Sequence, residues 1–184
     1  MRRRLASREP HRIDDPSARE AAVAIVLVPH YRGGLDTLLI QRAEREGDPW
    51  SGQVAFPGGR RDPADEALVS TAIRETREEV GVDLRAGDLL GELDDIHPRS
   101  SHLPALIVRP FVFGLLERPG VTTSPEVASH RWVGLHEFRQ AGIYLEAEIP
   151  SVGRRFPVYR LGGFMVWGMT ERIITPFLHL AAGE

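Results

Sequence analysis

The sequence predicts a layered α/β (α+β) fold with a mixed sheet, and three observations carry that expectation. Short apolar runs, partly β-branched, alternate with turn-forming segments along most of the chain. Two stretches have helical spacing, one closed by Gly81 and one over 169–182. No repeat, low-complexity segment or internal linker breaks the 184 residues, a length that suits one domain with a real core. The expected organisation is a flexible N-terminal arm over 1–18 and a single domain over 19–184.

Each element has a local reason. Residues 1–18 are polar and interrupted by proline, which reads as a loose arm or a short helix. The run "AAVAIVLVPH" (21–30) suits a buried strand, "RGGLD" (32–36) a turn, and "TLLIQRA" (37–43) the returning strand of a hairpin. "EREGDPWSG" (44–52) reads as a loop and "QVAF" (53–56) as a short strand ended by "PGG". Asp62, Pro63 and Asp65 resemble the cap, first residue and capping-box acid of the helix that follows. "LLGELDDI" (89–96) alternates as a strand, and 97–104 is a loop. "ALIVRPFVFGLLE" (105–117) is a long strand whose Pro110 predicts an edge or a bulge. After a loop over 118–127, "SHRWVGL" (129–135) is a strand and "HEFRQAG" starts a short helix. "YLEAEIP" and "RRFPVYRL" form a hairpin, and "GGFMVWG" is a last strand or a helix entry. The helix over 169–182 must accommodate Pro176.

Composition excludes several classes. Net charge is −3, so the overall balance does not point to nonspecific nucleic-acid binding. There is no cysteine, which removes disulfides and thiolate metal sites and leaves oxygen or imidazole as metal ligands. All 23 basic residues are arginine, so phosphate contacts would come from planar, bidentate guanidinium groups. The start "MRRRLASREPHRIDD" lacks the apolar region of a signal peptide, and no apolar run nears the ~18 residues of a membrane span. A soluble cytoplasmic protein with no membrane partner is the expectation.

One helical stretch is unusual. "AIRETREEVG" (72–81) places Glu75, Glu78 and Glu79 within five positions, although like charges at i,i+4 weaken a helix by roughly 0.2–0.5 kcal/mol per pair. At about 100° per residue the three carboxylates span roughly 100° of one face. Val69, Ala72, Ile73, Thr76 and Val80 fill the adjoining arc, so the acidic patch borders the buried face. A plain solvated face paired with Arg74 and Arg77 is one reading. The other starts from "FPGGRRDPAD" just upstream, a glycine-rich turn whose amides and arginines could hold a polyphosphate. Mg²⁺ takes carboxylate and phosphate oxygens, and a cation between the glutamates would cancel their repulsion.

In these residues the sequence resembles the Nudix hydrolase family, whose box is Gly-x5-Glu-x7-Arg-Glu-U-x-Glu-Glu-x-Gly-U with U bulky and apolar. Arg74, Glu75, Glu78, Glu79, Gly81 and Val82 fall on it in register, with Thr76 at the first U. Glu66 keeps its spacing to Arg74 but lies one residue too far from Gly59, whereas Asp65 has the right spacing from Gly59. Either acid could pair with Arg74. The resemblance implies a Nudix-type α/β/α sandwich with a mixed sheet. It also implies hydrolysis of a diphosphate linked to another moiety, with Mg²⁺ or Mn²⁺ as cofactor.

Upstream, "LLIQRAEREGDPWSGQVAFPGG" resembles the coenzyme A pyrophosphatase branch, roughly Leu-Leu-Thr-x-Arg with a Gly-x-Val-x-Phe-Pro-Gly-Gly end. Leu38, Leu39, Arg42, Gly52, Val54, Phe56, Pro57, Gly58 and Gly59 match. Ile40 replaces the threonine, the loop is one residue longer, and the arginine expected in it is displaced, with Arg45 a candidate. That branch also carries an Asp-x-x-Asp like Asp62 and Asp65, and "VWGMT" (166–170) resembles its C-terminal region. The products implied are 3′,5′-ADP and (acyl-)4′-phosphopantetheine. The alternatives are a Nudix pyrophosphatase acting on ADP-ribose, a dinucleotide or a nucleoside triphosphate, and a nucleotide sensor without catalysis.

What the resemblance implies for the site follows residue by residue. Glu75 and Glu79 are the main metal ligands, Glu78 joins them or orients a water, and the Gly58 carbonyl adds a ligand. Two or more ions would neutralise the diphosphate and lower the pKa of the attacking water. Arg74 orients the carboxylates. The general base is Glu78 or Glu126, with Glu171 a third choice. Arg42, Arg45, Arg60, Arg61 and Arg99 are candidates for the substrate phosphates, beside the Gly59 turn. Trp50 stacks on adenine or packs in the core or at a rim, and His97 and His102 are phosphate donors, bases or solvated loop residues. The partner implied is a small nucleotide-diphosphate, and family analogy suggests a homodimer.

Overall fold

The structure, a computed structural model, describes residues 1–98 and 105–183. The apolar run after the N-terminal segment forms β1 (Arg19–Pro29), the centre of a mixed seven-stranded sheet. β2 (Leu35–Arg42) returns antiparallel to it, as the "RGGLD" turn requires. β3 (Val54–Ala55) extends β2, and β4 (Gly58–Arg60) pairs antiparallel with the start of β1. On the other side β6 (Leu106–Gly114) runs parallel to β1, with β5 (Leu89–Glu92) antiparallel beyond it. β7 (Val127–Gly134) pairs with β2. A separate antiparallel sheet holds β8 (Tyr144–Ile149), β9 (Arg154–Leu161) and β10 (Phe164–Val166).

The two-residue period of β1 divides the core. Ala22, Ala24 and Val26 pack with Leu68, Ala72 and Val80 of α2 (Leu68–Val80). Ile25 and Leu27 belong to the cluster of Ile173, Ile174 and Phe177 from α3 (Gly168–Ala182), together with Tyr159, Leu161 and Val166 of the small sheet. Both faces of β1 are therefore covered, and its strand reads as a continuous apolar run. Each large aliphatic or aromatic side chain buried here stabilises the fold by about 1.5–3 kcal/mol. The architecture is the expected α+β sandwich with a mixed sheet.

Two local expectations are corrected. Asp62, Pro63 and Asp65 do not start α2; its N-cap is Ala67, with no side-chain cap. They form a separate turn in which the Asp62 N–H donates to Asp65 Oδ2 at 2.9 Å and the Ala64 N–H to Asp62 Oδ1 at 2.8 Å. Pro110 lies in an interior strand, not at an edge. Its missing N–H falls where the β5–β6 ladder stops at Glu92↔Phe111, before the single bridge Ile96↔Val108 resumes it. The N-terminal segment, expected as a loose arm or a short helix, carries the helix. Its short helix α1 (Arg2–Ala6) buries Leu5, Arg8 holds Asp94 at 2.7 Å, and Arg12 holds Glu92 at 2.6 Å. Behind it, the buried Asp95 takes both Nε and Nη2 of Arg109, at 2.8 and 2.9 Å. No helix among the described residues is long and apolar enough to cross a membrane.

Candidate active site

A cavity of about 500 Å³ opens where the β4 turn, the inner face of α2, the 44–53 loop and the first turn of α3 meet. Its lining combines two kinds of chemistry. Arg42, Arg60, Glu75, Glu79 and Glu126 are charged, and Trp50, Leu106, Val108 and Met169 form an apolar wall. Trp50 and Met169 pack on the buried cluster of Ala21, Leu106 and Val108, so the wall is continuous with the core.

The Gly58–Gly59 turn belongs to the same lining. A Cβ at Gly58 would lie 2.2 Å from the Ala22 carbonyl oxygen, and one at Gly59 would lie 2.4 Å from the Glu75 carboxyl carbon. Only glycine lets β4 sit against β1 on one side and the Glu75 carboxylate on the other. The Gly58 N–H donates to Glu79 Oε2 at 2.9 Å, which draws that side chain inward. Glu79 is only 3% exposed.

The three glutamates of the helix separate into two environments. Arg74 Nη1 donates to Glu75 Oε1 at 2.8 Å and to Glu78 Oε2 at 2.9 Å. Its Nε and Nη2 donate to Asp65 at 3.1 and 3.0 Å, and Nη2 also donates to the Arg60 carbonyl. Asp65, not the exposed Glu66, is therefore the acid that pairs with Arg74. Glu78 stays exposed beside Arg74 and does not line the cavity. Arg74 does not line it either; it braces Glu75 from behind.

The electrostatics follow from burial and partners. Burial pushes the Glu79 carboxyl up to about 7, the Gly58 N–H and Arg42 oppose the shift, and the charges of Glu75 and Glu126 add to it. Burial also raises Glu75; Arg74 opposes this, and Glu78 and Glu126 add to it. Hydrogen bonds from Arg74 hold the Asp65 carboxyl well below the usual range, although burial pulls the other way.

Glu126 reaches this site through its backbone. The C-terminal carbonyls of α2 need donors. Thr122 N–H supplies one to Val80 at 3.0 Å and Ser124 N–H one to Glu79 at 2.9 Å. The Ala43 N–H then donates to the Glu126 carbonyl at 2.8 Å, fixing the loop across the end of β2. The Glu126 side chain stands at the exposed rim, 3.7 Å from Arg45. A register shift between Gln41 and Arg42 in the β2–β7 pairing turns Arg42 into the cavity, as bulges do.

Of the other expected residues, Arg60, Arg45 and Trp50 line the cavity. Arg61 does not: it pairs with Glu20 at 2.7 Å and donates to the carbonyls of Asp65 and Glu66. His97 is exposed away from the lining, its carbonyl held by Arg172 at 2.6 Å. Glu171 is buried, accepting hydrogen bonds from Tyr144 at 3.0 Å and Thr175 at 2.8 Å. It lies outside the cavity lining, next to Thr170, which does line it. Arg99 and His102 lie outside the described residues. Sequence reasoning passed over Asp48, whose carboxylate holds Arg42; the "EREGDPW" loop offered no spacing rule to single it out.

The donor set fits a hard divalent cation. The carboxylates of Glu75, Glu79 and Glu126 line one cavity, and the most buried of them, Glu79, has a single backbone donor and a guanidinium no nearer than 3.8 Å. Among the described residues the side chains do not already converge as a ligand group of three or more.

Comparison with known proteins agrees with the fold and the box. A family model, NUDIX domain, matches residues 18–152. An uncharacterized Nudix hydrolase of Yersinia pestis, NudL, is 36% identical over 163 residues, covering 86% of this chain and 77% of the relative. An uncharacterized protein of Schizosaccharomyces pombe is 37% identical over 152 residues, 80% of this chain; the match spans only 43% of that longer protein. The crystal structure of a MutT/nudix family protein from Enterococcus faecalis superposes with a TM-score of 0.65 at 18% identity, covering 96% of this chain and 66% of that one, a likeness of fold. With the domain match spanning most of its length and two of the box glutamates, Glu75 and Glu79, lining one cavity, the chain belongs to the Nudix hydrolase family.

Proposed function

We propose that this protein hydrolyses the diphosphate of coenzyme A or its derivatives, giving 3′,5′-ADP and (acyl-)4′-phosphopantetheine. The observation that carries the reading is the mixed lining of one cavity. It offers carboxylates and arginines for a metal–diphosphate, and a wall of Trp50, Leu106, Val108 and Met169 that suits an uncharged arm or a base. The match of "LLIQRAEREGDPWSGQVAFPGG" to the coenzyme A branch supports the same substrate.

In this reading Glu75 and Glu79 hold Mg²⁺ or Mn²⁺, with the Gly58 carbonyl beside them. A bound divalent ion supplies charge neutralisation at the diphosphate and acidifies water. The chain's own residues do the rest. Arg42 and Arg60 bind phosphate oxygens, and Arg74 keeps Glu75 in place through the bonds that also engage Asp65. Glu126, at the solvent rim, accepts the proton of the water that attacks phosphorus while the bridging P–O bond breaks. Glu171 has no part in proton transfer, because its carboxylate is committed to Tyr144 and Thr175.

The test is a substrate panel of coenzyme A, ADP-ribose, NADH and nucleoside triphosphates with Mg²⁺ or Mn²⁺, products resolved by chromatography. Coenzyme A should show the highest kcat/KM and release 3′,5′-ADP. A higher kcat/KM for ADP-ribose or a triphosphate overturns the substrate assignment. Full activity of Glu126→Gln overturns that residue's role as base.

A further inference from the structure

We infer that Asp48 is a positioning residue that keeps Arg42 off the metal-binding carboxylate of Glu79. The inference rests on the proposed roles of Glu79 and Arg42. Arg42 Nη1 stands 3.8 Å from Glu79 Oε1, too far for a hydrogen bond, although the guanidinium and the buried carboxylate attract each other. Left to itself, the guanidinium would close that gap. What restrains it is Asp48 Oδ2, which accepts from Arg42 Nη2 at 2.8 Å. The other oxygen of the same carboxylate accepts the Trp50 N–H at 3.0 Å.

Asp48 is itself fixed. Its N–H donates to the Arg45 carbonyl at 3.2 Å, and its own carbonyl accepts from Ser51 N–H at 3.0 Å. The turn is closed by the Arg45 N–H on Ser51 Oγ at 2.8 Å. The restraint leaves Arg42 with a buried Nε–H that has no partner among the described residues, while the side chain itself lines the cavity. One acid thus sets two things. It leaves Glu79 free for a cation and keeps Arg42 extended toward an anionic oxygen. Through the Trp50 backbone it also registers the apolar wall against the charged groups.

Removing the charge of Asp48 should let Arg42 fall onto Glu79 and compete with the metal. Asp48→Asn keeps an acceptor for the Trp50 N–H and loses the charge that holds Arg42. We expect Mn²⁺ titrated calorimetrically into the full-length protein without substrate to bind about tenfold more weakly in Asp48→Asn than in the wild type. In an Arg42→Gln background, where no guanidinium can intrude, the same substitution should change Mn²⁺ affinity by less than about twofold. Asp48→Glu should recover most of the loss. Unchanged affinity in Asp48→Asn, or an equal loss with and without Arg42, overturns the inference, and a variant that misfolds gives the second result. Because the readout is metal binding, a wrong choice of substrate would leave it intact. A wild type that binds no Mn²⁺ would instead sink the metal-site reading beneath it.

Discussion

Two acids of the same neighbourhood, Asp65 and Glu79, are almost equally hidden, at 8% and 3% exposure, and have opposite properties. Asp65 accepts from Arg74 twice, from Thr71 Oγ1 at 2.8 Å and from the Asp62 N–H. Its lone pairs are used, its charge is compensated, and its carboxyl stays ionised far into acid. Glu79 has one backbone donor and a distant arginine, and burial pushes it up to about 7. The difference teaches that burial alone does not define a structural acid. What matters is whether the fold itself supplies the partners or leaves them to be supplied from outside.

The largest effect should come from removing the under-partnered acid. Glu79→Gln is expected to lower metal-dependent turnover by a factor on the order of 10³ while circular dichroism stays unchanged. Retained turnover would place the two acids in the same class after all.

The comparison also has a pH signature in the metal-free protein. Glu79 has a folded pKa of about 7 against an ordinary value of 4.5, so the folded state binds more protons than the unfolded state between those pH values. Stability therefore falls as pH rises from about 4.5 to 7, by about 3 kcal/mol in total. Asp65 has the opposite sign. Its folded pKa is depressed, so its contribution is complete above 3.8 and is lost as pH falls through the lowered value. Urea melts at pH 5 and 7.5 should show the first slope in the wild type and a markedly smaller one in Glu79→Gln, where Glu75 is the raised acid that remains. Excess Mn²⁺ should also flatten it, by favouring the ionised carboxylate.

Asp65→Asn should cost stability more than chemistry. It strips the charge from Arg74's main partner in a part-exposed pair, for which about 2 kcal/mol is expected in the urea midpoint, with kcat reduced far less than in Glu79→Gln. If kcat fell as steeply as in Glu79→Gln, Asp65 would have to act on the reaction and not merely through Arg74.

The sequence made the helix face and its box legible because both are local: a 3.6-residue period and a fixed spacing put Glu75 and Glu79 at the margin of the buried face. The β1–β2 hairpin and the β8–β9 hairpin were legible for the same reason. What stayed hidden depends on distant backbone. Pro110 reads as an edge or bulge residue until the gap in the neighbouring ladder is seen. Asp62 reads as a cap, and Asp65 as a capping-box acid or a partner of Arg74, until Thr71 and Arg74, six and nine residues on, claim Asp65. Glu126 could be singled out as an acid in a loop, but the carbonyls of Glu79 and Val80 that hang this loop across the site cannot be read from its own residues. Glu78, inseparable from its neighbours by spacing, differs only in facing Arg74 and solvent.

The smallest contrast lies in two adjacent arginines that the sequence treats alike. Arg60 lines the cavity, whereas Arg61, on the opposite side of the β4 backbone, is tied to Glu20 with both side chains well exposed, at 38% and 40%. An exposed pair of this kind contributes about 0.5 kcal/mol. Arg61→Ala should therefore shift the urea midpoint slightly and leave KM for coenzyme A unchanged. Arg60→Ala should raise KM roughly fivefold with little change in kcat, if Arg60 makes the charge-assisted phosphate contact proposed for it. The alternation of side chains along a strand, two per repeat, is enough to produce this split. A KM effect from Arg61→Ala equal to that of Arg60→Ala would mean that substrate reaches around the β4 turn, and the phosphate site would extend toward Glu20.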